Sequence, residues 1–187
     1  MQQLQLFSDR LSLRLIQEND LEVIHQLHSI PETDRFNALG IPKDLDETKK
    51  IILPWIMENK QEEIRNYTFA VELNNDQSFI GLFGFKTSRN QYQRGEVWFK
   101  TDVAFWGKGY TTEALNLVLD FGFNELKLHR IQAGCAVDNI ASVKVLEKVG
   151  MIREGRGRQI LPLKTGWSDN FEYSILESDK RPLFLKK

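Results

Sequence analysis

A glycine-containing loop at residues 105–114, FWGKGYTTEA, carries the clearest chemical signal in the sequence. It follows a strand-like run at 96–99 and precedes an apolar segment with helical spacing, so Gly107, Lys108 and Gly109 lie where a strand gives way to a helix. Glycine leaves the backbone open to a ligand, and the first N–H groups of a helix are unpaired and carry the positive end of its dipole. The loop therefore predicts an anion site, with phosphate as the natural ligand.

Two nucleotide-binding motifs are excluded by the residues of this region. A Walker loop requires G-x-x-x-x-G-K-[ST], which the sequence lacks. The dinucleotide fingerprint requires a third glycine where Thr112 stands, and an acidic residue about 20 positions later, in the region of His129. Two interpretations stay open at this point. The N–H groups of residues 107–111 hold a pyrophosphate, or the loop is a tight turn whose glycines serve only the backbone.

The patterns on either side place this loop within a mixed sheet. Alternation and short apolar runs predict seven strands, at residues 8–17, 67–73, 78–87, 95–100, 130–137, 151–163 and 171–176. About four helices are predicted: one capped by Asn19 or Asp20, one opened by Asp46 or Thr48 and kinked or split at Pro54, one over 111–126, and one capped by Asp138 or Asn139 and ended at Gly150. The strand–helix–strand crossover in the middle makes one central pair parallel. The predicted fold class is α/β (α+β), with a mixed and mostly antiparallel sheet.

Composition and charge limit the class of protein. The chain has 187 residues, 41% hydrophobic and 27% charged, with a net charge of -1. We expect one domain over residues 1–187 and no direct nucleic-acid binding, because no basic run interleaves with aromatic residues. The single Cys135 excludes an intrachain disulfide, and no stretch reaches the about 18 apolar residues of a membrane span. These features predict a cytoplasmic protein without membrane contact, as a monomer or homodimer.

Three spaced stretches give the loop a family context. WGKGYTTEA at 106–114, HRIQA at 129–133 and NIASVKVLEKVG at 139–150 follow one another in this order. Together they resemble the core of the GNAT acetyltransferases, and most closely the branch that acetylates the N-termini of ribosomal proteins. The resemblance is dense from 96 to 155, and the predicted order of strands is also the order of that family.

The resemblance implies acetyl-coenzyme A (acetyl-CoA) as cosubstrate and no metal. The pyrophosphate would lie on the loop, and the pantetheine arm in a cleft between the splayed parallel strands 95–100 and 130–137. The residues implied to bind the cosubstrate are Phe99, Thr101, Trp106, Gly107, Lys108, Gly109, Tyr110, Thr111, Asn139 and Ser142. Asn139 also suits a helix cap, and Ser142 a first-turn residue that bonds the backbone.

Glu96 and Ser142 are the candidate catalytic residues. Glu96 lies in a strand beside the implied cleft, at a position that the resembling branch often fills with Glu, and would serve as general base. The alternative is a solvent-facing glutamate in an ion pair. Ser142 could donate a proton or hold a water, and the N–H groups near 99–101 could stabilise the developing oxyanion. Cys135 is more consistent with packing than with a nucleophile, so we expect direct attack within a ternary complex.

Some positions depart from the pattern of the family. Ala104 stands where many members have Gln or Arg. Leu146 stands where many members have a tyrosine that acts as general acid, so that acid must come from elsewhere or be dispensable. His25 and His28 have a spacing that metals can use, but no third ligand is visible in the sequence.

The chemistry of amines agrees with the N-terminal acceptor that the resemblance implies. At pH 7 an α-amine with a pKa near 8 is neutral about one time in ten, and a lysine amine near 10.4 only a few times in ten thousand. An enzyme for N-termini can thus work with a weak base or a water relay. We expect a peptide or protein N-terminal α-amine as acceptor, selected by residues 30–65 and 156–168. The alternatives are a small amine (polyamine, amino acid or drug) and, in another class, a coenzyme A-binding sensor without turnover.

Overall fold

One mixed sheet carries the other elements of the fold. The computed structural model describes residues 4–88 and 91–182. The strands are β1 Gln5–Phe7, β2 Leu11–Leu15, β3 Asn66–Leu73, β4 Phe79–Ser88, β5 Arg94–Thr101, β6 Arg130–Ala136, β7 Ile152–Leu163 and β8 Gly166–Leu176. The α-helices are α1 Leu21–Ser29, α2 Pro31–Asp34, α3 Leu45–Asn59, α4 Tyr110–Asp120 and α5 Ile140–Lys148. Within the described ranges the sheet has eight strands in the order β1-β2-β3-β4-β5-β6-β8-β7.

The central pair of the sheet, β5 and β6, runs parallel, and the other neighbouring strands run antiparallel. The crossover between β5 and β6 contains α4, as predicted, and the mixed sheet is confirmed. One strand more than expected is present. The first strand, predicted over 8–17, is β2 alone, and β1 pairs with it so that Gln5 lies opposite Arg14. A strand of three residues is too short for alternation to reveal it.

Each face of the sheet is covered by its own helices. α4 and α5 pack on one face, called the α4 face, through buried residues that include Ala114, Leu115, Val118 and Leu146. α1 and α3 pack on the other, called the α1 face, through Ile24, Leu27, Ile52 and Ile56 against Ala70 and Leu82. Each fully buried Leu, Ile or Val side chain contributes about 2 kcal/mol, so both layers hold their helices firmly on the sheet. Alternate residues of β5 consequently face different helices.

The sequence predicted a kink or a split at Pro54, and the split is wrong, because α3 is continuous from Leu45 to Asn59. A proline removes one helical hydrogen bond, here the bond to the carbonyl of Lys50. Both residues lie on the exposed side of α3, where water can bond that carbonyl. Ile52 and Ile56 hold the opposite side of the helix against the sheet, so the turn is retained.

The helix caps agree with the sequence at two of three positions. Asn139 caps α5, as predicted. Asp20 holds the N-cap position of α1, as predicted, but its carboxylate binds Arg14 and the N–H of Gln17 and makes no cap hydrogen bond to the helix. The cap of α3 is neither Asp46 nor Thr48 but Asp44, whose carboxylate accepts from the N–H of Glu47 at 2.8 Å.

Two element boundaries also differ from the sequence patterns. The helix predicted over 111–126 is α4 up to Asp120, followed by a π-helical turn over Phe121–Glu125. β8 begins at Gly166 rather than at 171, because its first residues pair with β7 in a long hairpin. No helix within the described ranges is long and apolar enough to cross a membrane.

Candidate active site

The parallel strands β5 and β6 separate after a short stretch of pairing. Residues 94–96 pair with 130–132, and Glu96 opposite Gln132 is the last pair. Beyond this point β5 stays paired with β4 as far as Thr101, and β6 stays paired with β8 as far as Ala136. The gap between residues 97–101 and 133–136, called the cleft, is therefore held open by a hydrogen-bonded ladder on each outer side.

The glycine loop lies at the open end of the cleft and has the geometry of an anion site. Gly107 and Gly109 have φ angles of +74° and +81°, in a backbone region that residues other than glycine rarely adopt. A Cβ added at Gly107 would meet nothing within 4 Å, so the approach to the loop is open. The N–H of Glu113 is the first to bond back into α4, to the carbonyl of Gly109, which leaves the amides of 110–112 without intrahelical partners. These groups fit a pyrophosphate.

Side chains tie both ends of the loop to the end of β5. The indole N–H of Trp106 donates to the carbonyl of Thr101 at 2.7 Å, and the hydroxyls of Thr101 and Thr111 are 3.0 Å apart. Asp102 accepts from the N–H of Ala104 at 2.8 Å and so closes the turn before the loop. Ala104, which departs from the family pattern, thus contributes its backbone there. The loop is fixed before any ligand arrives.

Lys108 is the cation of the loop. Its ammonium lies 5.4 Å from the centroid of Phe105, and the residue is exposed. The ring of Tyr110 lies 6.3 Å from the same phenyl ring. The positive charge is therefore held on the solvent side of the loop, where it can meet an incoming anion.

The remaining predicted binding residues are Phe99 on β5, and Asn139 and Ser142 at the start of α5. Asn139 and Ser142 follow the end of β6, and the side-chain oxygen of Asn139 accepts from the N–H of Ser142 at 3.2 Å. This cap leaves the amide NH2 of Asn139 as a donor. Phe99 turns to the α4 face and stacks on Phe83 at 5.3 Å. Because the carboxyl ends of parallel strands share one edge, the sheet brings Thr101, the loop and the start of α5 to the same end of the cleft.

Glu96 lies apart from this group, at the closed end of the cleft. Five residues of extended strand, about 16 Å, separate it from Thr101. Its side chain is exposed and points to the α1 face, because Val97 is buried on the α4 face. Across β4 it is opposite the exposed Lys86. An accessible carboxylate therefore stands where the two strands part.

Trp98 lies beside Glu96 on the α1 face and was not singled out from the sequence. The residue is 40% exposed, and its ring centroid is 5.5 Å from that of Trp55 on α3. The indole covers the backbone of Gly84, where an added Cβ would lie 1.9 Å from the indole nitrogen. The fold therefore keeps an aromatic surface open next to Glu96. The residue pattern of β5 alone does not predict that Trp98 lies opposite a glycine of the next strand.

A buried polar cluster continues this face beyond Trp98. The ammonium of Lys100 is 3.1 Å from Nδ1 of His28. Burial lowers the pKa of Lys100 to about 8, and burial together with the charge of Lys100 lowers the pKa of His28 to about 4. Because an ammonium only donates, Nδ1 accepts and the neutral imidazole carries its proton on Nε2. The sequence suggested His28 only as half of a metal pair with His25, which instead is 2.7 Å from the hydroxyl of Thr48.

The hairpin of β7 and β8 reaches this cluster. The ammonium of Lys164, at its tip, lies 2.8 Å from Oδ2 of Asp34 on α2. Among the described residues, Nε2 of His28 and Oδ1 of Asp34 are the buried side-chain atoms without a hydrogen-bond partner. One is a donor and the other an acceptor. Residues from 30–65 and 156–168, the two segments expected to select the acceptor, thus meet on the α1 face.

Two other residues weighed from the sequence, Leu146 and Cys135, pack in the hydrophobic core. Leu146 is buried in the core of the α4 face and offers no proton. Burial raises the pKa of the Cys135 thiol to about 11, which disfavours the thiolate that a nucleophile needs. The hydroxyl of Tyr173 donates to Glu147 at 3.2 Å. In the part of the chain that the structure describes, no group of three or more His, Cys, Asp or Glu side chains could hold a metal ion.

Known proteins share this architecture. The family model described as an acetyltransferase (GNAT) domain matches residues 10–152. The probable N-acetyltransferase YjcK of Bacillus subtilis (strain 168) is 33% identical over 165 residues, which cover 88% of this chain and 86% of that protein.

Two solved structures have the same fold at 24% sequence identity. The spermidine N-acetyltransferase from Vibrio cholerae, in complex with CoA and spermine, has a TM-score of 0.80, covering 91% of this chain and 98% of that chain. The ribosomal-protein-S5-alanine acetyltransferase from Vibrio fischeri also has a TM-score of 0.80, covering 96% of this chain and 100% of that chain.

The match of the family model extends from Arg10, in the turn before β2, to Ile152, the first residue of β7. It therefore includes the cleft, the glycine loop and the start of α5. The chain belongs to the GNAT acetyltransferase family and is an acetyl-CoA-dependent N-acetyltransferase.

Proposed function

We propose that this enzyme acetylates the N-terminal α-amine of a peptide or protein, in the manner of a ribosomal-protein acetyltransferase. One observation supports the proposal: the cleft begins at Glu96, where β5 and β6 part, and leads to a preformed anion site in the glycine loop. A long cosubstrate with phosphate at one end and a thioester at the other fits such a slot. The acceptor then approaches Glu96 from the α1 face.

The cosubstrate contacts are assigned to the two edges of the cleft. The amides of residues 107–111 and the ammonium of Lys108 bind the pyrophosphate, with Trp106 holding the loop to β5. Phe99 and Thr101 line one edge of the cleft, and Asn139 and Ser142 the other. The amide NH2 of Asn139, which its cap leaves available, donates to the pantetheine arm.

Bound acetyl-CoA supplies an acetyl group activated as a thioester. Glu96 accepts the proton of the attacking amine through a relay of waters, because three residues of extended strand, about 10 Å, separate it from the backbone at residue 99. The N–H groups of 99–101 that point into the cleft stabilise the charge that develops on the carbonyl oxygen. Ser142 donates a proton to the sulfur or orients a water, although a thiol with a pKa of about 8.5 leaves with little assistance. Leu146 takes no part in proton transfer.

The exposure of Glu96 favours an α-amine over a lysine side chain. An exposed carboxylate is a weak base, which suffices for an amine that is already neutral about one time in ten at pH 7. A lysine amine is about 3 kcal/mol harder to deprotonate at this pH.

The buried polar cluster favours a peptide over a polyamine. Nε2 of His28 is a free donor and Oδ1 of Asp34 a free acceptor. A peptide backbone offers the matching carbonyl and N–H, whereas a polyamine offers donors only. For a peptide to enter this cluster, the side chain of Lys164 must move away from Asp34, because their ion pair joins the hairpin to α2.

A polyamine is the second candidate acceptor. The indole of Trp98 beside the carboxylate of Glu96 suits an ammonium group, because a cation is attracted to both. The spermidine acetyltransferase from Vibrio cholerae shares the fold, as does the ribosomal-protein enzyme from Vibrio fischeri. A coenzyme A-binding sensor without turnover is the candidate from another class.

Thiol release from acetyl-CoA, followed with a panel of acceptors, separates these functions. The panel contains peptides with a free N-terminus and no lysine, the same peptides blocked at the N-terminus with one internal lysine, and spermidine. We expect release with the free peptides at rates at least about tenfold above the others. Release with spermidine alone would favour the polyamine function. Tight binding of coenzyme A without release for any acceptor would favour the sensor.

A further inference from the structure

The first turn of α4 holds a buried carboxylate at the edge of the glycine loop. Glu113 is 8% exposed, and its N–H donates to the carbonyl of Gly109 at 3.0 Å. It thus belongs to the turn on which the pyrophosphate is proposed to lie. A carboxylate this near to an anion site repels the ligand unless a cation compensates its charge.

Arg10 supplies that cation from the turn between β1 and β2. Its Nε donates to Oε2 of Glu113 at 2.7 Å, and Nη2 makes a second, shorter contact with the same oxygen. The hydroxyl of Ser8 donates to Oε1 at 2.7 Å. Both oxygens of Glu113 are therefore bound by the turn between β1 and β2. Arg10, in that turn, lies 103 positions before Glu113 in the chain.

Arg10 also touches the loop itself. Its Nη1 donates to the carbonyl of Lys108 at 3.3 Å, and its guanidinium carbon lies 4.6 Å from the centroid of the Tyr110 ring. A Cβ on Gly109 would lie 3.6 Å from Nη2. One guanidinium group thus contacts Lys108 and Tyr110, the residues on either side of Gly109. Its planar shape and fixed donors define the path of that backbone in a way that a lysine could not.

We propose that Arg10 is a positioning residue for the cosubstrate. It cancels the charge of Glu113 and fixes the loop so that the amides of 107–111 face the pyrophosphate. This inference rests on the proposed function, in which the loop binds that group. Arg10 acts through Glu113 and Lys108 and remains distant from the acceptor on the α1 face. Its loss should therefore weaken cosubstrate binding and spare the chemical step.

Charge compensation is tested by a double-mutant cycle on the full chain. The variants are Arg10→Met, Glu113→Gln and the double variant, and the measurements are the Kd of coenzyme A by calorimetry and the kcat and KM for acetyl-CoA. We expect Arg10→Met to raise Kd and KM about tenfold with kcat within about twofold, and Glu113→Gln alone to change Kd less than about threefold. The double variant should bind at least about fivefold tighter than Arg10→Met, because no uncompensated charge remains.

Three further variants decide how the result is interpreted. Arg14→Met removes an arginine of the adjoining strand that binds Asp20 and Glu72, and it should lower Tm while leaving Kd unchanged. Arg10→Lys replaces Arg10→Met if that variant fails to fold. It keeps the positive charge but loses the planar donors, and it should raise Kd about threefold. A double variant as weak as Arg10→Met, or an unchanged Kd in Arg10→Met, overturns the inference. If Arg10→Met does not fold, an unchanged Kd in Arg10→Lys overturns it in its place. If Gly107→Val also binds coenzyme A normally, the proposed loop itself fails; if only Gly107→Val is weakened, the role of Arg10 alone fails.

Discussion

Glu96 and Gln132 form the last registered pair of the two parallel strands, and beyond them β5 and β6 separate. Each strand stays in its ladder with the outer neighbour, β4 or β8, so the width of the cleft is set by the sheet. The cleft is closed at Glu96 and open at the glycine loop. This one relationship places an accessible carboxylate and an anion site at opposite ends of the same slot.

The glycine loop should be intolerant of side chains that disfavour a positive φ. Gly107→Val forces the backbone away from its φ of +74°, which turns the amides of the loop away from the ligand. We expect the Kd of coenzyme A to rise at least about tenfold. Calorimetry on the purified variant measures this.

Gly40→Val is the matched control for that experiment. Gly40 has a φ of +82° and nothing within 4 Å of an added Cβ, as at Gly107, but it lies between α2 and α3. The two variants should lose similar stability, and only Gly107→Val should lose affinity. Equal affinities in both would refute the phosphate-binding role of the loop.

Glu96→Gln tests the general base. The amide cannot accept the proton of the amine, so kcat/KM for a peptide acceptor should fall at least about tenfold at pH 7, and less at higher pH, where more of the amine is already neutral. The KM for acetyl-CoA should change little. Glu125→Gln, an exposed glutamate in the π-helical turn, is the control. An unchanged pH–rate profile in Glu96→Gln would remove Glu96 from the mechanism.

Trp98 should bind the acceptor and not the cosubstrate. Trp98→Ala is expected to raise the KM of the acceptor about tenfold, because the acceptor loses one aromatic contact surface. The KM of acetyl-CoA should not change. Gly84→Ala should act in the same direction while keeping the indole, because its Cβ displaces the ring. Phe7→Ala, which removes an exposed aromatic residue at the far edge of the sheet, should change neither KM. If Trp98→Ala leaves the acceptor KM intact, the acceptor does not bind this surface.

Much of this site could be predicted from the sequence because its signals are local. The glycines, the cap at Asn139 and the strand–helix–strand crossover each occupy a few neighbouring residues, and each is present in the structure. The Arg10–Glu113 contact joins residues 103 positions apart, and the His28–Lys100 contact joins residues 72 positions apart. No pattern of neighbouring residues predicts either contact. The same limit explains α3, where burial on the sheet outweighs the local effect of Pro54.

The buried His28 should make stability depend on pH. Its pKa is about 4 in the fold and 6.5 when unperturbed, as expected for the unfolded chain, so between these values only the unfolded chain binds the proton. The free energy of unfolding is therefore unaffected by His28 above pH 6.5. It falls by up to about 3 kcal/mol as the pH drops toward 4 and the unfolded chain takes up the proton. Urea unfolding between pH 4 and 7 measures it.

His28→Gln isolates this effect, because the amide oxygen can still accept from Lys100 but does not titrate. The variant should show a shallower fall in the free energy of unfolding than the wild type over the same pH range. Parallel curves for wild type and His28→Gln would show that His28 takes up its proton as readily in the fold as in the unfolded chain.

The most direct test of the central claim is the position of the acetyl group on one peptide that has both a free N-terminus and an internal lysine. The peptide is incubated with acetyl-CoA and the enzyme near pH 7, and the product is sequenced by tandem mass spectrometry, with Glu96→Gln run in parallel. The proposed function predicts acetylation of the α-amine, lost in step with activity in the variant. Acetylation of the lysine side chain, or of neither amine while spermidine is acetylated, would contradict it.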